Sequence, residues 1–173
     1  MQKFMIFACV FALCCGAVNA AMPLTGFYKT IDDKTNNAKS IVRLYECGDN
    51  LCGRIVALFD ADGVEIAETL NVPERVADKV KGAPKMSGMD IIWNMKWDAK
   101  DNEYAGGKIL DPKSGSIYSS VIWQDKDDAN LLRVRGKVGP FGRTQVWHMF
   151  PSDQLPADLQ NLDASEWEVV VVK

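Results

Sequence analysis

Turn-forming residues interrupt this chain every eight to twelve positions between Gly26 and Phe150, and the stretches between them are short and rich in Val, Ile, Tyr and Trp. No other feature narrows the possible folds as much. Segments so short make poor helices and bury their apolar side chains by pairing edge to edge as strands. Eight strands are expected, over residues 26–30, 40–46, 53–59, 90–97, 104–110, 116–124, 131–138 and 143–150. Between them lie Gly-, Pro-, Asn- and Asp-bearing turns such as Asp111-Pro112-Lys113-Ser114-Gly115 and Gly139-Pro140-Phe141-Gly142. Residues 60–89 break the rhythm. Pro73, Gly82, Pro84 and Gly88 punctuate them and β-branching is sparse, so a long connection with one or two helical turns over 73–81 is expected.

Alternation shows how the strands are placed. Leu132, Val134, Gly136 and Val138 alternate with Arg133, Arg135 and Lys137, which gives that strand one apolar face and one wet face. Eight such strands in up-and-down order close most economically into a small antiparallel barrel, since closure removes exposed edges. The fold class expected is therefore all-β. The interior of a barrel this size is filled by side chains or holds one small ligand. Residues 151–173 begin with two prolines in six positions and end in valines at 169–172. They read as a loosely attached tail on a barrel domain spanning 21–150, with the valines adding a strand or covering an open end.

The N-terminus carries an address. Lys3 is followed by an uncharged run of about fifteen residues, Phe4 to Val18, ending at Val18-Asn19-Ala20. That order is a cleavable secretory leader, with cleavage expected after Ala20, and the run is short of the roughly 20 residues that span a bilayer. An uncleaved anchor, or a lipid attached at Cys14 or Cys15, are the alternatives. Cleavage leaves 19 basic against 23 acidic residues and two of the five cysteines, Cys47 and Cys52. A periplasmic or secreted protein results, with no membrane span in the mature chain. Mild, dispersed acidity argues against a nucleic-acid partner. Cys47 and Cys52 flank Gly48-Asp49-Asn50, which in an oxidising compartment suits a disulfide across a turn, although a redox-active pair stays open.

Several runs resemble an exported bacterial family known as a domain of unknown function, DUF2147. They are Gly106-Gly107-Lys108-Ile109-Leu110-Asp111-Pro112, then Gly115 and Tyr118, then Arg133-Val134-Arg135-Gly136, then residues 141–147, with Gly26 to Thr35 and Gly53-Arg54-Ile55-Val56 upstream. The resemblance covers nearly the whole chain after the leader. It implies a barrel-like domain with a signal peptide and no assigned reaction. Phe27-Tyr28 stand where that family tends to have tryptophan. A wider likeness is to calycins, the lipocalin-like barrels, in which a first-strand aromatic packs under an arginine from near the last strand; Phe27-Tyr28 and Arg143 are the matching residues here.

Chemistry is sparse. His148 is the single histidine. It has no motif-linked Ser or Cys partner, and zinc sites draw on two or more His or Cys ligands, so no cofactor or metal is implied. Asp60, Asp62 and Gly63 echo the start of a calcium loop, but Asn71 occupies the place of its final acid, and they read as a turn. Asp32, Asp33 and Asp111 are either turn acids or catalytic carboxylates. Arg135 and Arg143 lie on adjacent strands; facing one mouth they would bind a carboxylate or phosphate, and otherwise they pair with acids or stack on Tyr118 and Trp147. Trp93, Trp97, Tyr118, Trp123 and Trp147 line a cavity or form the core. The ligand-binding set expected is Arg135, Arg143, Tyr118, Trp93, Trp147 and Asp111. The function expected is non-catalytic binding of a small hydrophobic or amphipathic molecule, a lipid or a cell-envelope component. The competitors are a module docking on an envelope protein, and a hydrolase using Asp111 with Arg135 or Arg143.

Overall fold

A computed structural model describes residues 23–171; the leader expected over 1–20, and Val172 of the terminal valines, lie outside them. Nine strands form in the described chain: β1 (Gly26–Ile31), β2 (Ala38–Cys47), β3 (Asn50–Phe59), β4 (Ile66–Thr69), β5 (Asp90–Asp98), β6 (Glu103–Asp111), β7 (Ser116–Gln124), β8 (Leu131–Val138) and β9 (Phe141–Met149). All pairs are antiparallel. Each strand but β4 pairs with its neighbour in the ring, and β9 returns to β1 through Tyr28 opposite Met149 and Lys29 opposite His148. The expected eight strands thus close into a barrel. β4, which no pattern in Ile66-Ala67-Glu68-Thr69 announces, takes the stretch of β3 edge that β5 leaves free.

Several bulges let the sheet curl, and two of them centre on residues with left-handed backbone. Asn94 at φ 57° falls between the pairs Gly53 opposite Ile92 and Leu51 opposite Met95, and Gly106 at φ 77° falls between Tyr104 opposite Ile122 and Gly107 opposite Ser120. Each adds one residue to its strand and bends it, and glycine takes the left-handed backbone at Gly106 without steric cost.

The helical turns expected over 73–81 do not form; the segment is a run of turns with isolated bridges, Val72 to Thr69 and Val76 to Lys85. The reason is a competing acceptor. Buried Glu68 accepts hydrogen bonds from the backbone N–H groups of Glu74 (3.1 Å) and Arg75 (2.8 Å) and from the Ser87 hydroxyl (2.9 Å), which binds the connection to β4. Burial alone would raise the Glu68 carboxyl, but these donors and the Arg75 charge outweigh it and hold it below its ordinary value. The Asp60 turn forms as expected, its carboxylate accepting from the Val64 N–H at 2.8 Å.

Beyond β9 come a 3-10 turn (Ser152–Gln154) and one helical turn, α1 (Ala157–Gln160), with Leu155 and Leu159 buried against Phe27, Ile41, Val56 and Phe59. The final valines form no described strand, and the tail is held tightly. The Val170 N–H donates to Asp90 at 3.0 Å, the Glu168 carbonyl accepts from Arg54 at 2.7 Å, and the Arg54 guanidinium lies 4.3 Å from the centre of the Trp167 ring. Asp90 is fully buried and pairs with Arg54 at 2.7 Å. None of the described helices is long and apolar enough to cross a membrane.

Candidate functional site

Cross-strand partners share a face of a sheet and successive residues alternate between faces, so the register sorts every strand residue. One face carries Tyr28, Val42 and Ile55 in register, then Gly53, Ile92, Ile109 and Tyr118, then Ser120 opposite Gly136, and Ile122, Val134 and Gln145. It is the inner wall. Deep in it, Leu44, Ile92, Met95, Ile122, Leu132, Val134 and Trp147 are each at most 2% exposed, so this part of the barrel is filled by side chains.

Towards the end where loops 32–37, 112–115 and 139–140 gather, the inner wall changes character. Ile109, Tyr118, Gly136 and Gln145 are half-buried, and Val138, Phe141 and Arg143 are exposed. Val138 and Phe141 pair across the tip of the β8–β9 hairpin. A Cβ at Gly136 would sit 3.5 Å from the Tyr118 Cβ and 3.6 Å from Ile109, so glycine leaves a shallow place there. We call this half-exposed, largely apolar end of the inner wall, above the filled floor, the cup.

A polar chain runs down one side of this cup. The Arg143 guanidinium pairs with Asp33 at 2.5 Å, Gln145 donates to the same carboxylate at 3.0 Å, and the Trp147 indole N–H donates to the Gln145 carbonyl at 3.1 Å. Asp33 is presented by a loop that Asp32 organises, accepting from the N–H groups of Lys34 (2.9 Å) and Thr35 (3.1 Å); those two donors hold the Asp32 carboxyl below its ordinary value. Ser120, 2% exposed and opposite both Gly107 and Gly136, has a buried hydroxyl with no protein partner. Such a group is costly to leave unmade.

The structure divides the residues singled out in the sequence. Tyr118, Arg143 and Trp147 face inward. Arg135 does not: it lies opposite Val121 and Thr144, on the outer face, while Gly136 lies opposite Arg143. A two-residue hairpin tip fixes that parity, and one step of register reverses the face. The two arginines therefore do not share a mouth. Trp93, opposite Lys108, also points outward, and it is buried in the cluster against which Trp167, Val169 and Val171 of the tail pack. Asp111 closes its own turn, accepting from the Lys113 N–H (3.0 Å) and the Ser114 hydroxyl (2.8 Å). Asp111 is thus engaged in its own turn, Arg143 pairs with Asp33, and Arg135 lies on the outer face. Arg43, rather than Arg143, lies over the Phe27 ring, at 4.7 Å. His148 is exposed on the outer face, and Cys47 and Cys52 form a disulfide with Cα atoms 5.9 Å apart. Among the described residues no cluster of three or more His, Cys, Asp or Glu could hold a metal ion.

Gln145, Ser120 and the hairpin tip were not recognisable as site residues from spacing alone, and Asp33, weighed as a turn acid or catalytic carboxylate, was not recognisable as the partner of Arg143. The Arg143, Gln145, Trp147 alternation was the available signal, and it needed the register to become a direction.

The closed eight-stranded antiparallel ring with a filled floor and a half-open end makes this a lipocalin-like barrel. A solved structure agrees: protein HP1028 from the human pathogen Helicobacter pylori, described as belonging to the lipocalin family, is 18% identical, with a TM-score of 0.57 over 75% of this chain and 84% of that one. At that identity the likeness concerns the fold alone. The chain belongs to the family of uncharacterized proteins conserved in bacteria, DUF2147, whose model matches residues 26–149. No curated protein matches it.

Proposed function

We propose that the half-open cup binds a small amphipathic molecule without transforming it, the apolar part lying on Ile109, Tyr118 and Gly136 and an acidic head meeting Arg143. The observation that carries this reading is the contrast within one wall: inner-face apolar residues are sealed at the floor and half-exposed at the mouth, where the Arg143 guanidinium stands. Asp33 engages one Arg143 nitrogen, and a guanidinium has five N–H donors, so a carboxylate or phosphate finds others. The unpartnered Ser120 hydroxyl supplies a polar group below. The filled floor sets a size limit, admitting a short chain or ring and refusing a long acyl chain. A leader and a disulfide suit an exported protein in the periplasm or outside the cell, where such a molecule would come from the envelope or the medium.

The test is titration of the mature protein with octanoate and octanol, followed by amide chemical shifts. Octanoate is expected to perturb Tyr118, Gly136 and Arg143 saturably, more tightly than octanol, and Gly136→Val is expected to block it. Octanoate shifts scattered over the surface, or absent, would refute the proposal. The exposed rim residues Val138 and Phe141 favour a second reading, docking on an envelope protein; loss of a stoichiometric partner in Phe141→Ser, with octanoate inert, would select it.

A further inference from the structure

We propose that the outer wall of the barrel carries a separate site for a sugar bearing a phosphate or carboxylate, made by Arg135, Lys137, Trp123 and Glu103. These residues, with Val121 and the Gly139-Pro140 tip, line a surface concavity of about 450 Å³. Binding sites for small molecules start at roughly 300 Å³. The register separates it from the cup. Val121 opposes Arg135, Trp123 opposes Arg133 and Ser119 opposes Lys137, all on the face that points away from the interior.

Arg135 is the reason to look here. Each of the other arginines has a charged or aromatic partner: Arg54 has Asp90, Arg75 has Glu68, Arg133 has Asp125, Arg143 has Asp33, and Arg43 has the face of Phe27. Among the described residues, Arg135 alone has neither a carboxylate within ion-pair distance nor an aromatic ring beneath it, and its Nε is buried without a partner. Its position is nonetheless built. A Cβ at residue 142 would come within 2.6 Å of the Arg135 Nε and 3.2 Å of its Nη2, so the guanidinium lies against Gly142, where a larger residue would collide. Two residues along the same face, Lys137 likewise forms no ion pair among the described residues. Two uncommitted cations on one strand face suit a divalent or delocalised oxyanion.

The remaining walls choose what is attached to that anion. Trp123 is half-buried and offers an indole surface, a flat apolar patch with a polar edge. Glu103 lies across from it; burial pushes its carboxyl above the ordinary value, the Lys137 charge opposes that, and Asp101 and Asp98 add to it. A carboxyl at the edge of a cationic patch repels a second anionic group and accepts hydrogen bonds from hydroxyls. An anion for Arg135 and Lys137, hydroxyls for Glu103 and a ring face for Trp123 together describe an acidic sugar. A free sugar phosphate or uronic acid and the acidic sugar head group of a lipid share that chemistry.

The experiment uses the mature protein with glucose 6-phosphate, glucuronate, glucose and inorganic phosphate, read by amide and indole chemical shifts. Saturable shifts of Val121, Trp123, Arg135 and Lys137 are expected with the two acidic sugars, weaker with inorganic phosphate and absent with glucose. Arg135→Met and Lys137→Met should each weaken binding about tenfold, Arg135→Lys should retain part of it, and octanoate binding at the cup should not change. Vesicles of phosphatidylcholine with and without a glucuronosyl lipid separate the sources: retention by the acidic vesicles without response to the free sugars would assign the lipid head group. Absence of shifts with both sugars and vesicles, or an affinity that Arg135→Met leaves unchanged, would overturn the proposal. Failure of the octanoate titration alone would not touch it.

Discussion

Replacing Asp90 by alanine should do more damage than any other single change outside the barrel's apolar floor. Its carboxylate accepts hydrogen bonds from Arg54 Nε (3.1 Å) and Nη2 (2.7 Å), from the Tyr45 hydroxyl (2.8 Å) and from the Val170 N–H (3.0 Å). The side chain of Asp90 is 0% exposed and that of Arg54 13%. Burial, then the hydrogen bond to Asp90, push the Tyr45 phenol upward, so it stays a neutral donor. Removing the carboxylate leaves a buried guanidinium without its counter-charge and a buried hydroxyl without its acceptor, at a cost of about 3–5 kcal/mol. Against a total stability of about 5–15 kcal/mol, the melting temperature should fall by on the order of 10 °C. The tail should loosen as well, because Val170 loses its acceptor and Arg54 its anchor under Trp167. Two assays check this: urea unfolding for the free energy, and limited proteolysis for cleavage beyond residue 160. Arg54→Met combined with Asp90→Leu should cost much less than the two single changes added together, since an apolar pair removes both charges at once. A loss below about 1 kcal/mol in Asp90→Ala, or a double variant that is simply additive, would refute the argument that a buried ion pair clamps the tail.

Three further outcomes follow from the packing. Trp147→Ala, which empties a 2% exposed site and leaves the Gln145 carbonyl without its donor, should cost about 3–5 kcal/mol in urea unfolding, and Trp147→Phe distinctly less. Reducing or replacing Cys47 and Cys52, five apart in sequence, should cost about 2 kcal/mol in the same assay, because so short a loop confines the unfolded chain only modestly. Glu68 is held below its ordinary value in the fold, so it contributes stability above the unfolded carboxyl value of about 4.3 and loses it as pH falls through the lower folded value. Acid titrations of stability should therefore be shallower below about pH 4.3 in Glu68→Gln than in the parent protein.

The barrel strands could be read from the residues because each one is patterned locally. Leu132, Val134, Gly136 and Val138 alternate with charged neighbours, and the turns between strands are made by residues with few other uses. β4 could not be read, since Ile66-Ala67-Glu68-Thr69 is only four residues long, does not alternate apolar with polar, and pairs where β3 has an edge to fill. The helical turns expected over 73–81 were lost to a carboxylate supplied by that same strand, a partner no local window contains.

The candidate site divides in the same way. Residue types singled out Arg135 and Arg143 as candidate binding charges, yet only the hairpin tip, with Val138 opposite Phe141, decided that they face opposite sides of the wall. Asp33 looked like an ordinary turn acid until closure of the ring brought loop 32–37 beside Arg143, 110 positions away in sequence. Sequence alone therefore determined the eight strands of the ring, the closed antiparallel class and the cysteine pair. The tertiary structure decided which faces are inner, which arginines are free and where the tail is clamped. The physical reason is range: strand and turn propensities act over a few neighbouring residues, whereas facing, pairing and burial of charge exist only once distant strands have met in register.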